Sequence, residues 1–197
     1  HALLLDAGTN TVLLEKDADV PMPPASMSKL MTVYMVFERL KAGTLSLDNQ
    51  FLVSEKAWRK GGSKMFVKVN TRVSVRDLLR GIIVQSGNDA CIVIAEGISG
   101  SEEAFAEAMM RRARQIGLTN SSFRNSTGWP DEEHNMSARD IATLSQKIIA
   151  EFPEYYEMFS EKIFKYNGIR QGNRNPLLYN FAGADGLKTG HTEASGY

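Results

Sequence analysis

Pro21-Met22-Pro23-Pro24-Ala25-Ser26-Met27-Ser28-Lys29-Leu30-Met31-Thr32 is the stretch where the chain changes character. Its prolines favour extended or turn geometry just before a helix start. From Ser26 onward Leu30, Met31, Val33, Tyr34, Phe37 and Leu40 recur at three- and four-residue steps, and Gly43 follows as a stop. The stretch reads as a proline-led turn that opens a helix. Ser26 stands at the helix start, and Lys29, three residues on, shares its face.

Upstream, Ala2 to Asp6 and Thr11 to Lys16 are short apolar runs around Ala7-Gly8-Thr9-Asn10, the pattern of a β-hairpin. Downstream the pattern stays helical. Ser74-Val75-Arg76-Asp77 is a capping box opening a helix through Ile83, and Ser86-Gly87-Asn88-Asp89 is a second box before the apolar run Cys91 to Ile98. Ser99 or Ser101 begins another helix, running to Gly117, and Ser137-Ala138-Arg139-Asp140 begins one that ends near Phe152-Pro153. After that Ile163 to Tyr166, Leu177 to Tyr179 and Gly186 to His191 read as extended. The spacing thus predicts helices in the middle of the chain and strands at both ends.

With 197 residues, 43% hydrophobic, the chain is long enough for one globular core. Lys and Arg number 23 and so do Asp and Glu, so the basic footprint of a nucleic-acid binder is missing. Cys91 is the single cysteine and lies in an apolar run, which reads as a small buried hydrophobe. His1, His134 and His191 with that one cysteine make no recognisable metal site, and no motif implies a cofactor. No apolar run approaches the roughly 20 residues a membrane helix needs. The chain has no signal peptide and starts inside a strand pattern, so it reads as a piece of a longer precursor.

Three short motifs carry chemistry: Ser26-Met27-Ser28-Lys29, Ser86-Gly87-Asn88 and Lys188-Thr189-Gly190. Each alone is an ordinary cap, loop or strand end. Together they supply a serine nucleophile, two lysines that can move a proton, and a polar bridge between them. A serine hydroxyl needs a base, and Lys29 can act as one only if its neutral form is populated. Burial and a nearby cation such as Lys188 both lower a lysine pKa. Ser86 and Asn88 offer a hydroxyl to relay a proton and a carboxamide to hold a carbonyl. Gly190 allows close backbone approach, while Lys188 and Thr189 offer a cation and a hydroxyl to a carboxylate. Trp58 and Trp129 read as packing or cleft-wall residues.

These motifs, and nearly the whole chain around them, resemble the penicillin-binding D-alanyl-D-alanine carboxypeptidases of bacterial cell-wall metabolism. Pro24 to Thr32, Gln85 to Ala90 and Gly186 to Thr192 are similar to that family's three signature segments, and Gly168 to Asn175 and Ser137 to Asp140 also follow its pattern. The resemblance implies an α/β (α+β) fold of the β-lactamase/transpeptidase-like kind, a helical cluster against an antiparallel sheet. It implies one penicillin-recognising catalytic domain over 1–197, lacking the C-terminal strands that would complete the sheet. On that ground the segment alone is expected to be poorly stable or inactive. By the same resemblance Ser26 attacks the carbonyl between two terminal D-alanines of a peptidoglycan stem pentapeptide, and Lys29 takes its proton. Ser86 and Lys188 pass the proton to the leaving amine, and Asn88, beside Gly87, holds the substrate amide. Backbone N–H groups of Ser26 and His191 form the oxyanion hole, Thr189 and Arg174 receive the terminal carboxylate, and Gly190 lets the substrate backbone approach closely. Penicillins acylate the same serine. The partners implied are stem peptides and β-lactams, with no cofactor and no nucleic acid. The implied location is periplasmic or extracytoplasmic, with membrane association only through C-terminal segments absent from this chain.

Other readings stay open on the residues alone. A serine β-lactamase needs a second activated water, for which Glu132 and Glu133 are candidates. A muropeptide endopeptidase would share every residue named. A non-catalytic muropeptide-binding module would keep the cleft without using Ser26.

Overall fold

The computed structural model describes residues 1–193, 195 and 196. The first hairpin forms where the sequence predicts it, β1 (Ala2–Asp6) pairing antiparallel with β2 (Thr11–Lys16). It leaves Leu4, Val12, Leu13 and Leu14 exposed. A 3-10 turn over Ala25–Ser28 leads into α1 (Lys29–Lys41), whose residues from Lys29 to Phe37 are all buried. A helix buried on every side is central to its fold. Gly43 ends it in the left-handed region, as the sequence predicts.

The middle of the chain is not purely helical. β3 (Gln50–Leu52) pairs with β4 (Arg72–Ser74), with the short α2 (Glu55–Arg59) between them. These three-residue strands are too short to leave a period in the sequence. Next come α3 (Val75–Gln85), α4 (Asn88–Ser99), α5 (Glu102–Gln115) and α6 (Ala138–Glu151). Ser74, Ser101 and Ser137 each accept the backbone N–H three residues on, the capping contact read from the sequence. The second capping box fails: Ser86 lies in the left-handed region at the end of α3, and Gly87 takes the N-cap of α4 with no side-chain cap bond.

After α7 (Pro153–Tyr156) comes the hairpin of β5 (Ile163–Tyr166) and β6 (Ile169–Gly172). Leu177 to Tyr179 is not extended but forms α8 (Leu177–Asn180), in which Leu178 alone is buried. Residues 186–190 lie in no ladder. Among the described residues the antiparallel ladders form three separate two-stranded sheets, with isolated antiparallel bridges at Met22–Met136, Ser122–Asn135 and Thr192–Gly196 besides.

The core is centred on α4, where every side chain from Ala90 to Ala95 is fully buried, packed by α1, α2, α3 and α5. Cys91 is among them, and burial pushes its thiol pKa up to about 12, so it is an unreactive hydrophobe as read. Asp89 anchors the loop before β4: its carboxylate accepts the backbone N–H groups of Met65, Phe66 and Val67 at 2.9–3.2 Å. Asp89→Ala strands the buried Met65 and Val67 donors and is expected to cost about 2–3 kcal/mol. Chemical denaturation checks this; a loss below about 0.5 kcal/mol, the size of an ordinary surface substitution, would show that the loop holds itself.

Candidate active site

Pro24 precedes a turn in which Ala25 is held at φ +47°, a left-handed conformation that costs a non-glycine residue of order 1 kcal/mol. Ser26 therefore sits in the 3-10 turn before α1, not in the first α-helical turn the sequence suggested. Side chains three apart nearly eclipse in a 3-10 turn. Lys29 Nζ accordingly donates to Ser26 Oγ at 2.9 Å and to the Thr127 carbonyl at 2.6 Å. Lys29 is buried, and its pKa falls to about 8, mainly by desolvation, with Arg174 and Lys60 pushing the same way. With one N–H on Thr127, the neutral amine keeps its lone pair for the serine proton.

The loop supplying that carbonyl is fixed by its own sequence. Asn125 Oδ1 accepts the backbone N–H groups of Thr127, Gly128 and Trp129 and the Thr127 hydroxyl, at 2.9–3.1 Å. Such capture of nearby amides is the ordinary turn chemistry of asparagine. The Ser126 hydroxyl donates to Glu102 Oε1, and the Ser126 carbonyl accepts from Thr32 of α1. His134 closes the loop against the nucleophile turn, its Nε2 lying 2.7 Å from Ser28 Oγ. Because His134 Nδ1 accepts the Arg124 N–H, the proton is assigned to Nε2, which donates to Ser28. Burial lowers its pKa to about 4, so the ring is neutral. By sequence His134 counts only among possible metal ligands; in the fold it is a strut. Asn125-Ser126-Thr127-Gly128 was the signal that could have found this loop.

Ser86 is buried, and its Oγ has no hydrogen-bond partner among the described residues. An orphaned hydroxyl at such a place calls for an explanation, and proton relay is one. Asn88 donates Nδ2 to the Gly61 carbonyl at 2.9 Å. Gly87 has a packing reason to be glycine, since a Cβ there would lie 2.9 Å from Asp89 Oδ1 and 3.2 Å from Gly81 O.

The third motif lies directly on the nucleophile turn. A Cβ at Gly190 would come within 3.1 Å of the Pro24 carbonyl and 3.2 Å of the Met27 backbone nitrogen. Lys188 donates to the Thr189 carbonyl at 2.7 Å, and desolvation, with Lys29 and Arg174 beside it, holds its pKa well below the usual lysine range. Upstream, Asn175 Nδ2 grips the Gly186 carbonyl at 2.7 Å. Asn175 is in turn ordered by Asn173, so the residues flanking Arg174 position the motif's start. Thr189 is half-buried beside Lys188. His191 is exposed, its Nδ1 3.0 Å from the Gly196 carbonyl. Trp129 is 43% exposed and walls an apolar cavity of about 380 Å³ with Pro23, Pro24, Pro130 and Thr192.

The first and third motifs therefore meet at the nucleophile turn, Lys29 reaches across 98 residues of sequence to the Thr127 carbonyl, and Asp89, next to Asn88 of the second motif, is near enough to act on the Lys29 charge. The arrangement suits acyl transfer: a serine on a strained turn, a neutral-capable amine on it, and further cations around.

The profile of the D-alanyl-D-alanine carboxypeptidase family matches residues 1–197. D-alanyl-D-alanine carboxypeptidase DacA of Haemophilus influenzae is 42% identical over 199 residues, covering 99% of this chain and 51% of that protein. The chain thus spans about half the length of the curated relatives it matches. Among solved structures, D-alanyl-D-alanine carboxypeptidase DacD of Francisella tularensis superposes with a TM-score of 0.96 at 36% identity, over 99% of this chain and 60% of that one. Penicillin binding protein 5 of Haemophilus influenzae gives a TM-score of 0.95 at 42% identity, over 99% and 58%.

Proposed function

Because the chain belongs to the D-alanyl-D-alanine carboxypeptidase family, we propose that residues 1–197 form the catalytic domain of a serine enzyme that removes the terminal D-alanine from peptidoglycan stem pentapeptides. The observation that carries this is the 2.9 Å contact between Ser26 Oγ and a buried Lys29 whose pKa has dropped to about 8. Lys29 takes the serine proton as Oγ bonds to the carbonyl carbon between the two D-alanines. The backbone N–H groups of Ser26 and His191 bind the resulting oxyanion, at about 2.7–4 kcal/mol per donor in a comparable hydrolase. As the C–N bond breaks, the proton passes by way of Ser86 and Lys188 to the departing amine. Asn88, beside Gly87, holds the substrate amide, Thr189 and Arg174 receive the terminal carboxylate, and Gly190 lets the substrate backbone approach closely. Water then hydrolyses the ester on Ser26.

Penicillins, as cyclic mimics of the D-Ala-D-Ala end, acylate the same oxygen. The substrate places the enzyme outside the cytoplasmic membrane. No described helix is long and apolar enough to cross a membrane. The β-lactamase reading is the weaker one: Glu133 is ion-paired to Arg124 at 2.8 Å, and Glu132 is exposed, so neither is held ready to activate a second water.

Intact-mass analysis and peptide mapping after incubation of the full-length protein with a penicillin tests the proposal. A long-lived adduct on the Ser26 peptide is expected, lost in Ser26→Ala, with D-alanine released from a pentapeptide by the wild type. No adduct on a folded sample overturns the acyl-enzyme mechanism, and penicillin turnover at many cycles per minute moves the protein to the β-lactamases.

A further inference from the structure

Trp129 does more than wall the cleft. The Lys60 ammonium lies over its ring, 4.1 Å from the centroid, well within cation–π range. The contact is built from both sides. Gly61 and Gly62 follow Lys60 and lie under the indole: a Cβ at Gly62, which has φ +76°, would meet Trp129 Cζ3 at 3.1 Å and Asn88 Nδ2 at 2.7 Å. The Gly61 carbonyl is the one that Asn88 grips. On the other side, the Trp129 N–H donates to Asn125 and to the hydroxyl of Thr127, whose carbonyl holds Lys29. Lys60 is thereby tied on one side to the carboxamide assigned to the substrate amide and on the other to the loop of the general base.

Lys29 feels the charge of both Lys60 and Arg174, and the carboxylate that acts on Lys60, Glu102, is committed elsewhere, as is Asp89. Asp89 holds three backbone N–H groups, and Glu102 holds Ser126 and Lys56. Among the described residues no carboxylate lies within ion-pair distance of Lys60. A half-buried cation, oriented by an aromatic ring and lacking a counter-ion, is a receptor for an anionic group of a ligand. The terminal carboxylate is already assigned to Thr189 and Arg174. Lys60 directly precedes Gly61, whose carbonyl Asn88 holds, and so stands on the side of the substrate amide assigned to Asn88.

We infer that Lys60, oriented by Trp129, is a specificity-determining residue that binds a second carboxylate, carried on the acyl part of the peptide, so that acidic peptides ending in D-Ala-D-Ala are the preferred substrate class. This rests on the carboxypeptidase reading. The test uses full-length protein and two synthetic pentapeptides ending in D-Ala-D-Ala, identical except that the third side chain ends in a carboxylate in one and a carboxamide in the other. The wild type is expected to favour the acid by about five- to tenfold in kcat/KM, and Lys60→Gln to bring that ratio to about one. Lys60→Arg, which keeps the charge, is expected to restore most of the preference. A wild-type ratio near one, or a ratio unchanged in Lys60→Gln, overturns the inference while leaving the carboxypeptidase reading intact. Failure of the wild type both to hydrolyse either peptide and to be acylated by penicillin overturns both.

Discussion

Lys29→Met is expected to slow acylation of Ser26 by a penicillin about 10²–10⁴-fold, the usual range for loss of a positioned general base. Methionine fills the buried space with an unbranched chain but leaves Ser26 without a proton acceptor. Lys29→Arg is the sharper variant. It keeps a cation that can reach the Thr127 carbonyl, yet a guanidinium stays protonated at any working pH, so it cannot take the serine proton. Both variants are expected to lose acylation to a similar degree. If Lys29→Arg instead retained most of the rate, Lys29 would act as a fixed charge and not as a base. The wild-type pH profile gives an independent reading. The active form is neutral Lys29, whose pKa stands at about 8, so the acylation rate should rise tenfold per unit below pH 8 and level off above it. A flat profile between pH 6 and 9, measured by stopped-flow or quenched mass analysis, would overturn the assignment.

Much of this site can be read from one-letter code because side-chain chemistry and helical spacing are local. Ser26 and Lys29 meet because three residues in a tight turn always bring side chains together, whichever helix type forms. Ser74, Ser101 and Ser137 mark helix starts because a hydroxyl there satisfies an amide the helix leaves unpaired. What stayed hidden is carried by the backbone. The Thr127 carbonyl that holds Lys29 has no letter of its own, and neither does the Gly61 carbonyl that holds Asn88. Ser86 looked like a cap because its neighbours fit the pattern, yet its left-handed backbone turns the hydroxyl into the interior. Leu177-Leu178-Tyr179 misled because three apolar letters show neither period, and Pro176 then starts a helical turn. His134 was invisible as a strut because its partner, Ser28, is 106 residues away. Lys188-Thr189-Gly190 has the letters of a strand, but a strand requires a neighbouring ladder, and among the described residues the two-stranded sheets pair only within themselves.

Gly128 is where backbone geometry and catalysis depend on a single missing carbon. It has φ +76°, and a Cβ there would lie 1.9 Å from the Ala25 carbonyl oxygen, far inside van der Waals contact. Neither partner has room to move. Gly128 is clamped by Asn125, and Ala25 is already in a left-handed conformation beside Ser26. Gly128→Ala is expected to destabilise the protein by about 3–5 kcal/mol, lowering Tm by roughly 10 °C. Gly117→Ala separates the two causes, since Gly117 also has positive φ, at +88°, but nothing within 4 Å of its would-be Cβ. That variant carries the conformational cost alone, of order 1 kcal/mol. The difference between the two melts is the clash itself. If the chain relieves the clash by shifting the turn, the stability loss shrinks but Ser26 leaves its 2.9 Å contact with Lys29, and acylation falls instead. A Gly128→Ala protein that melts like Gly117→Ala and is acylated at the wild-type rate would overturn the claim that this loop sets the position of the nucleophile.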